Sequence, residues 1–326
     1  MFDMHYDLLS IAYVCYLKND YSYLEEKIKS YRNDNVQGVV ANLYFMSEEE
    51  MKEELHSKYY QKEVPVVEMF RISTEIVKSY LPNTELIFSV EGCDYIEELE
   101  ELEELYKLGL RNILPVWNNK NKYASGNRSD QGLTEEGKRF LDKAIELGIS
   151  IDLSHTNRKS FDDIVSYLMG KKDEGEEFFV MASHSNARSI CERQRNLEDD
   201  QILAIKDLDG LVGVFSNRNF IVPESLKERA NQQEKEQYYL AHISHIVDLI
   251  GVDYVGIATD DMDFCKEADA EYGQVQIYSY DNIAKSVQST LEQRYSIEDT
   301  YQIMYGNMKQ RYDMINNKVR KGDKVL

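Results

Sequence analysis

Five side chains of types that bind divalent metal ions follow short apolar runs of the sequence. They are three imidazoles and two carboxylates: His5, Asp7, Glu91, His155 and His184. Imidazole with carboxylate, and without thiolate, is a ligand set typical of catalytic zinc or a related divalent ion. Five ligands exceed what one tetrahedral ion uses. The set therefore predicts two ions that share a bridging carboxylate and leave an open edge for water.

Each of these residues also has a structural interpretation when it is taken alone. A histidine at a strand end commonly forms hydrogen bonds that only stabilise the fold, and Glu91 or Asp260 could cap the following helix. Their coincidence favours the metal site, because the chain has six histidines and three of them fall at the ends of separate strands. The others are interpreted as structural or surface residues. His56 lies in a charged segment, and His242 and His245 lie three apart in a helical stretch, where a metal pair is the alternative.

Eight short β-branched or apolar runs alternate with segments of helical spacing. The runs span residues 2–8, 36–45, 85–90, 112–117, 149–153, 178–182, 210–215 and 254–258. This alternation predicts βαβ units and a parallel sheet. Eight units close into a (β/α)8 TIM barrel, whose C-terminal strand ends carry the chemistry. An open doubly wound sheet is the alternative, but no Gly-x-Gly-x-x-Gly follows any run. We expect one barrel domain over 1–326, with C-terminal helices 281–316 packed on it.

Three of the intervening segments carry clear helix signals. Residues 135–147 end at Gly148, and residues 199–208 follow Asn196, with Asp199 three positions later as a near capping box. Residues 97–105 alternate acidic pairs with leucines. This spacing predicts a helix with one apolar stripe and a solvated acidic face, and an acidic metal-binding cluster is the alternative.

The overall composition limits the classes of partner. The chain has 326 residues with 38 Lys+Arg and 59 Asp+Glu, a formal net charge of −21, and its basic residues are scattered. This charge argues against binding to nucleic acid or an anionic membrane, and no run approaches the roughly 18 apolar residues of a membrane span. The N-terminal residues have no basic region followed by an apolar core, so no secretory signal is expected. No Cys-x-x-Cys occurs among Cys15, Cys93, Cys191 and Cys265. A cytoplasmic protein is expected.

Ten short motifs, spread over nearly the whole chain, resemble those of the membrane (renal) dipeptidase family of dinuclear zinc peptidases, within the amidohydrolase-like barrels. They include His-Tyr-Asp at 5–7, Asp-Leu-Ser-His at 152–155 and Ser-His-Ser-Asn-Ala-Arg at 183–188. The others lie at 91–92, 108–111, 132–134, 195–196, 245–251, 256–260 and 305–307. Each motif is weak alone, and their combination is specific.

The resemblance implies a role for each candidate ligand. His5 and Asp7 would bind one zinc ion, His155 and His184 would bind the other, and Glu91 would bridge both. Other divalent transition metals suit the same residues, because zinc, cobalt and manganese share sites of nitrogen and oxygen ligands.

The resemblance also implies two residues that contact substrate. Arg195 matches the family's arginine that holds the substrate's terminal carboxylate, through a bidentate fork that lysine lacks. Without the resemblance, Arg188 ranks equally. Asp260 matches the aspartate near the scissile amide, a candidate proton shuttle or amine anchor. Asp261 is its rival, because residues 260–263 depart from the family's usual Asp-Phe-Asp-Gly turn.

One departure from the family pattern concerns the catalytic groups. The family usually has a histidine at the end of strand four that reaches toward the substrate carbonyl, and here Trp117 occupies the matching position. Indole N–H can donate a hydrogen bond but carries no titratable proton. Trp117 is therefore a candidate for substrate binding and oxyanion stabilisation, and activity could be reduced or redirected to another substrate.

The activity that the resemblance implies is hydrolysis of a dipeptide's amide bond by a hydroxide that bridges two zinc ions, with Asp260 transferring the proton. Three alternatives stay open. They are N-acyl amino acid deacylation or lactone hydrolysis on the same dinuclear site, a metal-binding protein that has lost catalysis, and a metal-free structural barrel. The expected partners are a small dipeptide substrate and, from the resemblance, a second copy in a homodimer.

Overall fold

Eight parallel strands close into a barrel in the computed structural model, which describes residues 1–33, 35–44, 64–260 and 276–322. In chain order they are β1 (Phe2–Tyr6), β2 (Gly38–Tyr44), β3 (Glu85–Glu91), β4 (Leu110–Leu114), β5 (Ser150–Asp152), β6 (Val180–Ala182), β7 (Leu211–Phe215) and β8 (Val255–Ala258). Each strand pairs with its neighbours in sequence, and β1 pairs with β8 to close the ring. The predicted barrel is confirmed, and every predicted strand overlaps an observed one.

The strands are buried along nearly their whole length, which explains their continuous apolar runs. Every residue of β1, β2, β7 and β8 is buried. Parallel strands covered on both faces lose the alternation of polar and apolar residues that marks half-exposed strands. The ladder between β2 and β3 is unbroken from Gly38 opposite Glu85 to Tyr44 opposite Glu91. It therefore fixes the height of Glu91 at the C-terminal rim of the barrel.

Helices surround the barrel and follow most of the strands. They are α1 (Leu8–Lys18), α2 (Ser22–Asn33), α3 (Val66–Tyr80), α4 (Leu99–Leu108), α5 (Glu135–Leu147), α6 (Arg158–Asp173), α7 (Asp199–Asp207), α8 (Arg218–Ile221), α9 (Gln232–Ile250), α10 (Ile283–Leu291), α11 (Ile297–Tyr301) and α12 (Asn307–Gly322). A π-helical turn, Gln302–Gly306, connects α11 to α12. Within the described ranges, no helix is both long and apolar enough to cross a bilayer.

Local sequence signals set the helix ends, and one of the predicted caps is wrong. Gly148 ends α5 with a φ of 72°, in the left-handed region that glycine adopts without strain. Helix α7 does not use Asn196 and Asp199 as its cap. Its capping box consists of Glu198 and Gln201. The amide of Asn196 instead donates to two carbonyl oxygens of the surrounding loops, so it is unavailable to the helix.

Helix α4 and three of the cysteines contribute buried side chains. Leu102 and Leu105 are fully buried, as the apolar stripe of the acidic segment predicted, and the helix runs over Leu99–Leu108. Cys15, Cys93 and Cys191 are buried, whereas Cys265 lies outside the described residues.

The C-terminal segment covers the end of the barrel opposite the strand C-termini. The ring of Phe2, at the start of β1, packs against Tyr305 and Tyr312. The side chain of Asn307 donates to the carbonyl oxygens of Val252 and Val255, at the start of β8. These contacts leave the C-terminal rim as the open end, where the candidate ligands lie.

Candidate metal centre

The five predicted ligands converge at the C-terminal rim of the barrel, and we call them the ligand cluster: His5, Asp7, Glu91, His155 and His184. Ligand atoms of His5, Asp7 and Glu91 all lie within 4.8 Å of one another. The ligand atoms of Glu91, His155 and His184 form a second group and also lie within 4.8 Å of one another. Because Glu91 belongs to both groups, the cluster has the composition of two adjacent cation sites with one shared carboxylate.

The two oxygens of Glu91 face different histidines. Oε2 lies 3.2 Å from Nε2 of His5, and Oε1 lies 3.0 Å from Nε2 of His155. Nε2 of His184 lies 3.9 Å from the same Oε1 and 3.0 Å from Nε2 of His155. All three imidazoles therefore present Nε2 to the carboxylate that separates the two groups.

Buried polar atoms without a hydrogen-bond partner support a cation at this position. Nε2 of His5 and Oε1 of Glu91 are shielded from solvent, and neither has a partner that meets hydrogen-bond geometry. Buried polar atoms are nearly always satisfied, so such exceptions indicate a missing ion or ligand. Both atoms are lone-pair donors of the kinds that zinc binds, and the residues therefore fit a divalent metal.

The electrostatics of the cluster favour positive charge beside Glu91. Burial alone would lower the pKa of His5, but the charges of Glu91, Asp7 and Asp260 raise it to about 10. Burial raises the pKa of Glu91, and the adjacent imidazoles outweigh this and hold the pKa below its usual range. Of those imidazoles, His5 carries the charge at neutral pH, because burial lowers the pKa of His155 to about 4. The carboxylates around His5 thus create a field that favours a cation at this position.

Backbone conformation directs two of the site residues inward. His155 has a φ of 67° and Asp260 a φ of 51°. Non-glycine residues adopt this left-handed region at an energetic cost, and such strain is concentrated at functional sites. The backbone N–H of Asp260 donates to the carbonyl oxygen of His5 at 2.9 Å, which fixes Asp260 next to the cluster. Asp260 forms a third potential ligand group with His5 and His184.

Asn42 is a site residue that the sequence interpretation missed. Its Nδ2 donates to Oδ1 of Asp7 and to Oε2 of Glu91, each at 2.8 Å. One amide thus holds two carboxylates together and reduces their mutual repulsion. The available signal was a buried amide in the middle of an apolar strand, between Ala41 and Leu43.

A cleft of about 330 Å³ opens onto the ligand cluster. Its walls include Tyr44, Trp117, Phe215 and Phe220, together with Arg195. This volume is at the lower end of the range for small-molecule sites, and an apolar wall with a few charged groups is typical of them. A small molecule with few non-hydrogen atoms suits a cleft of this volume.

Arg195 and Arg188, which the residue pattern alone ranked equally, differ in their partners. The Arg195 guanidinium donates to the carbonyl oxygen of His184 at 2.8 Å and to Oγ of Ser185 at 3.1 Å, and it forms no ion pair among the described residues. Arg188 is neutralised by Glu198, with 2.6 Å between Nη1 and Oε1. Of these two arginines, Arg195 is the one that lines the cleft beside the cluster.

Of the remaining predicted residues, one lines the cleft, one lies away from it, and two are outside the described residues. Trp117 lies in the loop after β4, where its ring packs edge-on against Tyr44, with 4.6 Å between centroids, and lines the cleft. His242 accepts from the backbone N–H of Ala187 and donates to the carbonyl oxygen of Ile221, away from the cluster. Asp261 and His56 lie outside the described residues.

Comparisons with known proteins relate most of the chain to one family. A sequence profile of the membrane dipeptidase family (peptidase family M19) matches residues 54–315, which include Glu91, His155 and His184. The resemblance inferred from the sequence motifs is thereby confirmed. His5 and Asp7 precede the matched span.

Individual relatives have low sequence identity to this chain. An uncharacterized protein from the pqqA 5′ region of Klebsiella pneumoniae is 30% identical over 163 residues, which cover 48% of this chain and 56% of that protein. Dipeptidase aclJ of Aspergillus oryzae is 25% identical over 231 residues, which cover 68% of this chain and 49% of that protein. The chain thus spans about half the length of these curated relatives.

Solved structures share the fold over almost the entire chain. A metallopeptidase from Rhodobacter sphaeroides, crystallised with a phosphinate mimic of the dipeptide L-Ala-D-Ala, superposes with a TM-score of 0.71. The superposition covers 97% of this chain and 98% of that one at 19% sequence identity. At this identity, the likeness establishes a common barrel architecture.

Proposed function

Because the chain belongs to the membrane dipeptidase family, we propose that it hydrolyses the amide bond of dipeptides at the ligand cluster. The observation that carries the proposal is the shared position of Glu91, with His5 and Asp7 on one side and His155 and His184 on the other. Two zinc ions suit this set of nitrogen and oxygen donors, and other divalent transition metals are compatible with it. When bound, such a pair of ions lowers the pKa of water and polarises a carbonyl group.

Arg195 would fix one end of the substrate. Its guanidinium lines the cleft next to His184 and is held by hydrogen bonds on its protein side. A carboxylate placed against it would form a charge-assisted pair of the bidentate type. Because Arg195 lies close to the cluster, a free carboxylate bound there would place the adjacent amide bond over Glu91. This geometry favours dipeptides over longer peptides.

Asp260 would move the proton during hydrolysis. It lies in the cleft and forms a potential ligand group with His5 and His184, so a carboxylate oxygen is within reach of the position where water would attack. A carboxylate at that place can accept a proton from the attacking water and pass it to the leaving amine. Asp260 is held there by its backbone hydrogen bond to β1.

Trp117 would donate its indole N–H to the substrate carbonyl oxygen as charge develops there. We expect Trp117→Phe to lower kcat for dipeptides by about 100-fold with little change in KM, because one oxyanion donor contributes roughly 10²–10³ in rate. Steady-state kinetics on variants with equal metal content measure this effect. An unchanged kcat would mean that Trp117 only lines the cleft and does not stabilise the oxyanion.

A second candidate function follows from the same tryptophan. The family usually places a histidine at this position, and its absence favours a different acyl substrate, such as an N-acyl amino acid or a lactone, on the same dinuclear site. The two candidates share the ligand cluster and differ only in what occupies the cleft.

The proposal is tested on the full chain loaded with zinc. We expect turnover of dipeptides, its loss on chelation and its recovery when zinc is restored. Matched N-acyl amino acids and lactones in the same assay separate the second candidate, because turnover of those compounds alone would replace the dipeptidase assignment. Two bound metals with no turnover would indicate a metal-binding protein, and no bound metal would contradict both candidates.

We infer one barrel domain over 1–326, with the helices of 281–316 as part of it. The support is the contact of Tyr305 and Tyr312 with Phe2 and the hydrogen bonds of Asn307 to the start of β8.

A further inference from the structure

One hydroxyl group lies between histidines of the two halves of the ligand cluster. Oγ of Ser183 is 3.2 Å from Nδ1 of His5 and 2.8 Å from Nδ1 of His184. The two imidazole rings stack with 3.7 Å between centroids, and all three residues are fully buried. Ser183 therefore contacts both rings on the side opposite to the nitrogen atoms that face Glu91.

The number of protons available decides which nitrogen of each ring is free. A serine hydroxyl has one proton to donate and can accept two hydrogen bonds. If Ser183 donated to one Nδ1, that ring would carry its own proton on Nε2, which could then not bind a metal. If the Ser183 proton went elsewhere, both rings could donate from Nδ1 and direct a lone pair at Nε2 toward the cluster.

Asp152 is the acceptor that can take this proton. Its side chain is fully buried, and its carboxylate lies beside Ser183, whose backbone N–H it accepts. The Asp152 carboxylate is oriented by two backbone donors, since Oδ1 accepts the N–H of Ser154 at 3.0 Å and that of Ser183 at 3.1 Å. A carboxylate held in this way keeps one position next to Ser183.

We propose that Asp152 and Ser183 are positioning residues that fix His5 and His184 as the tautomers protonated at Nδ1. The Ser183 hydroxyl donates to Asp152 and accepts from both rings, so that Nε2 of each ring faces a metal ion. Partners of this kind orient ligating histidines and raise their basicity in metal sites. The inference rests on the metal centre of the proposed function, and it does not depend on the substrate.

His155 and His242 provide internal references in the same chain. Nδ1 of His155 lies 3.2 Å from Oδ1 of Asn118, so its tautomer is set without Ser183. His242 has the opposite tautomer, because its Nδ1 accepts from the backbone N–H of Ala187. Changes at Ser183 should leave both histidines unaffected.

The test combines zinc affinity with NMR of imidazole protons in the zinc-loaded full chain. In the wild type we expect exchange-protected Nδ1–H signals from His5 and His184. Ser183→Ala should remove both signals, keep that of His155, and weaken zinc binding by roughly 10–100-fold. Ser183→Thr retains the hydroxyl and should restore both the signals and the affinity.

Two further variants distinguish positioning from a general loss of structure. Asp152→Asn keeps the shape of the side chain but offers a donor to Ser183, so it should weaken zinc binding in the same way. Ser125→Ala removes a buried hydroxyl that has no hydrogen-bond partner among the described residues, and it should leave zinc affinity unchanged. Zinc affinity and Nδ1–H signals that persist in both Ser183→Ala and Asp152→Asn would overturn the inference. A wild-type chain that binds no zinc would instead contradict the proposed function.

Discussion

Glu91→Gln is expected to remove both metal ions and to abolish dipeptide hydrolysis. Gln offers one neutral carbonyl oxygen in place of a charged carboxylate whose two oxygens face different histidines at 3.2 and 3.0 Å. Changes in residues that only support metal ligands already lower affinity by roughly 10–100-fold, so the loss of a shared ligand should exceed 100-fold. The substitution also removes the charge that chiefly raises the pKa of His5, and with it the field that favours a cation.

The measurement is metal content per chain after dialysis against buffered zinc, together with turnover of a dipeptide. Glu85→Gln is the matched control, because Glu85 lies at the other end of β3 and pairs with Lys309 and Tyr305. It should retain two ions and full activity. Two tightly bound ions and unchanged turnover in Glu91→Gln would exclude Glu91 as the bridging ligand.

The barrel could be predicted because burial on both faces shows directly in the sequence. Runs such as Val39–Val40 in β2 and Val212–Val214 in β7 are apolar at successive positions, and turn residues and helical segments separate them. Residues two apart along a strand project to one side, and the side chains of His5 and Asp7, at the end of β1, lie in one ligand group. Strand ends of a closed barrel share one rim, so convergence followed from topology.

The contacts around the ligands could not be predicted, because they depend on register and backbone angles. Asn42 reaches Asp7 and Glu91 only because β2 pairs with β3 at the observed offset. The left-handed φ of His155 has no sequence signature in a residue that is not glycine. The choice between two arginines was likewise undecided until the ion pair of one of them was known.

Arg195→Lys is expected to lower kcat/KM for dipeptides by about 10–100-fold while leaving metal content unchanged. Lysine keeps the charge but lacks the planar fork that holds a carboxylate by two parallel hydrogen bonds. Hydrogen bonds to charged groups contribute about 1.5–3 kcal/mol, which corresponds to that range of rate. Metal binding should persist, because Arg195 contacts the cluster only through the carbonyl oxygen of His184.

A blocked substrate separates recognition of the carboxylate from a general disturbance of the site. The amide of the same dipeptide lacks the free carboxylate, so wild type and Arg195→Lys should hydrolyse it at similar, low rates. Arg188→Lys is the control, since Arg188 is already paired with Glu198 and should keep its preference for the free dipeptide. An equal loss on the dipeptide and its amide would mean that Arg195 supports the loop rather than the substrate. If the discrimination instead disappears in Arg195→Lys alone, the guanidinium of Arg195 recognises the free carboxylate of the substrate.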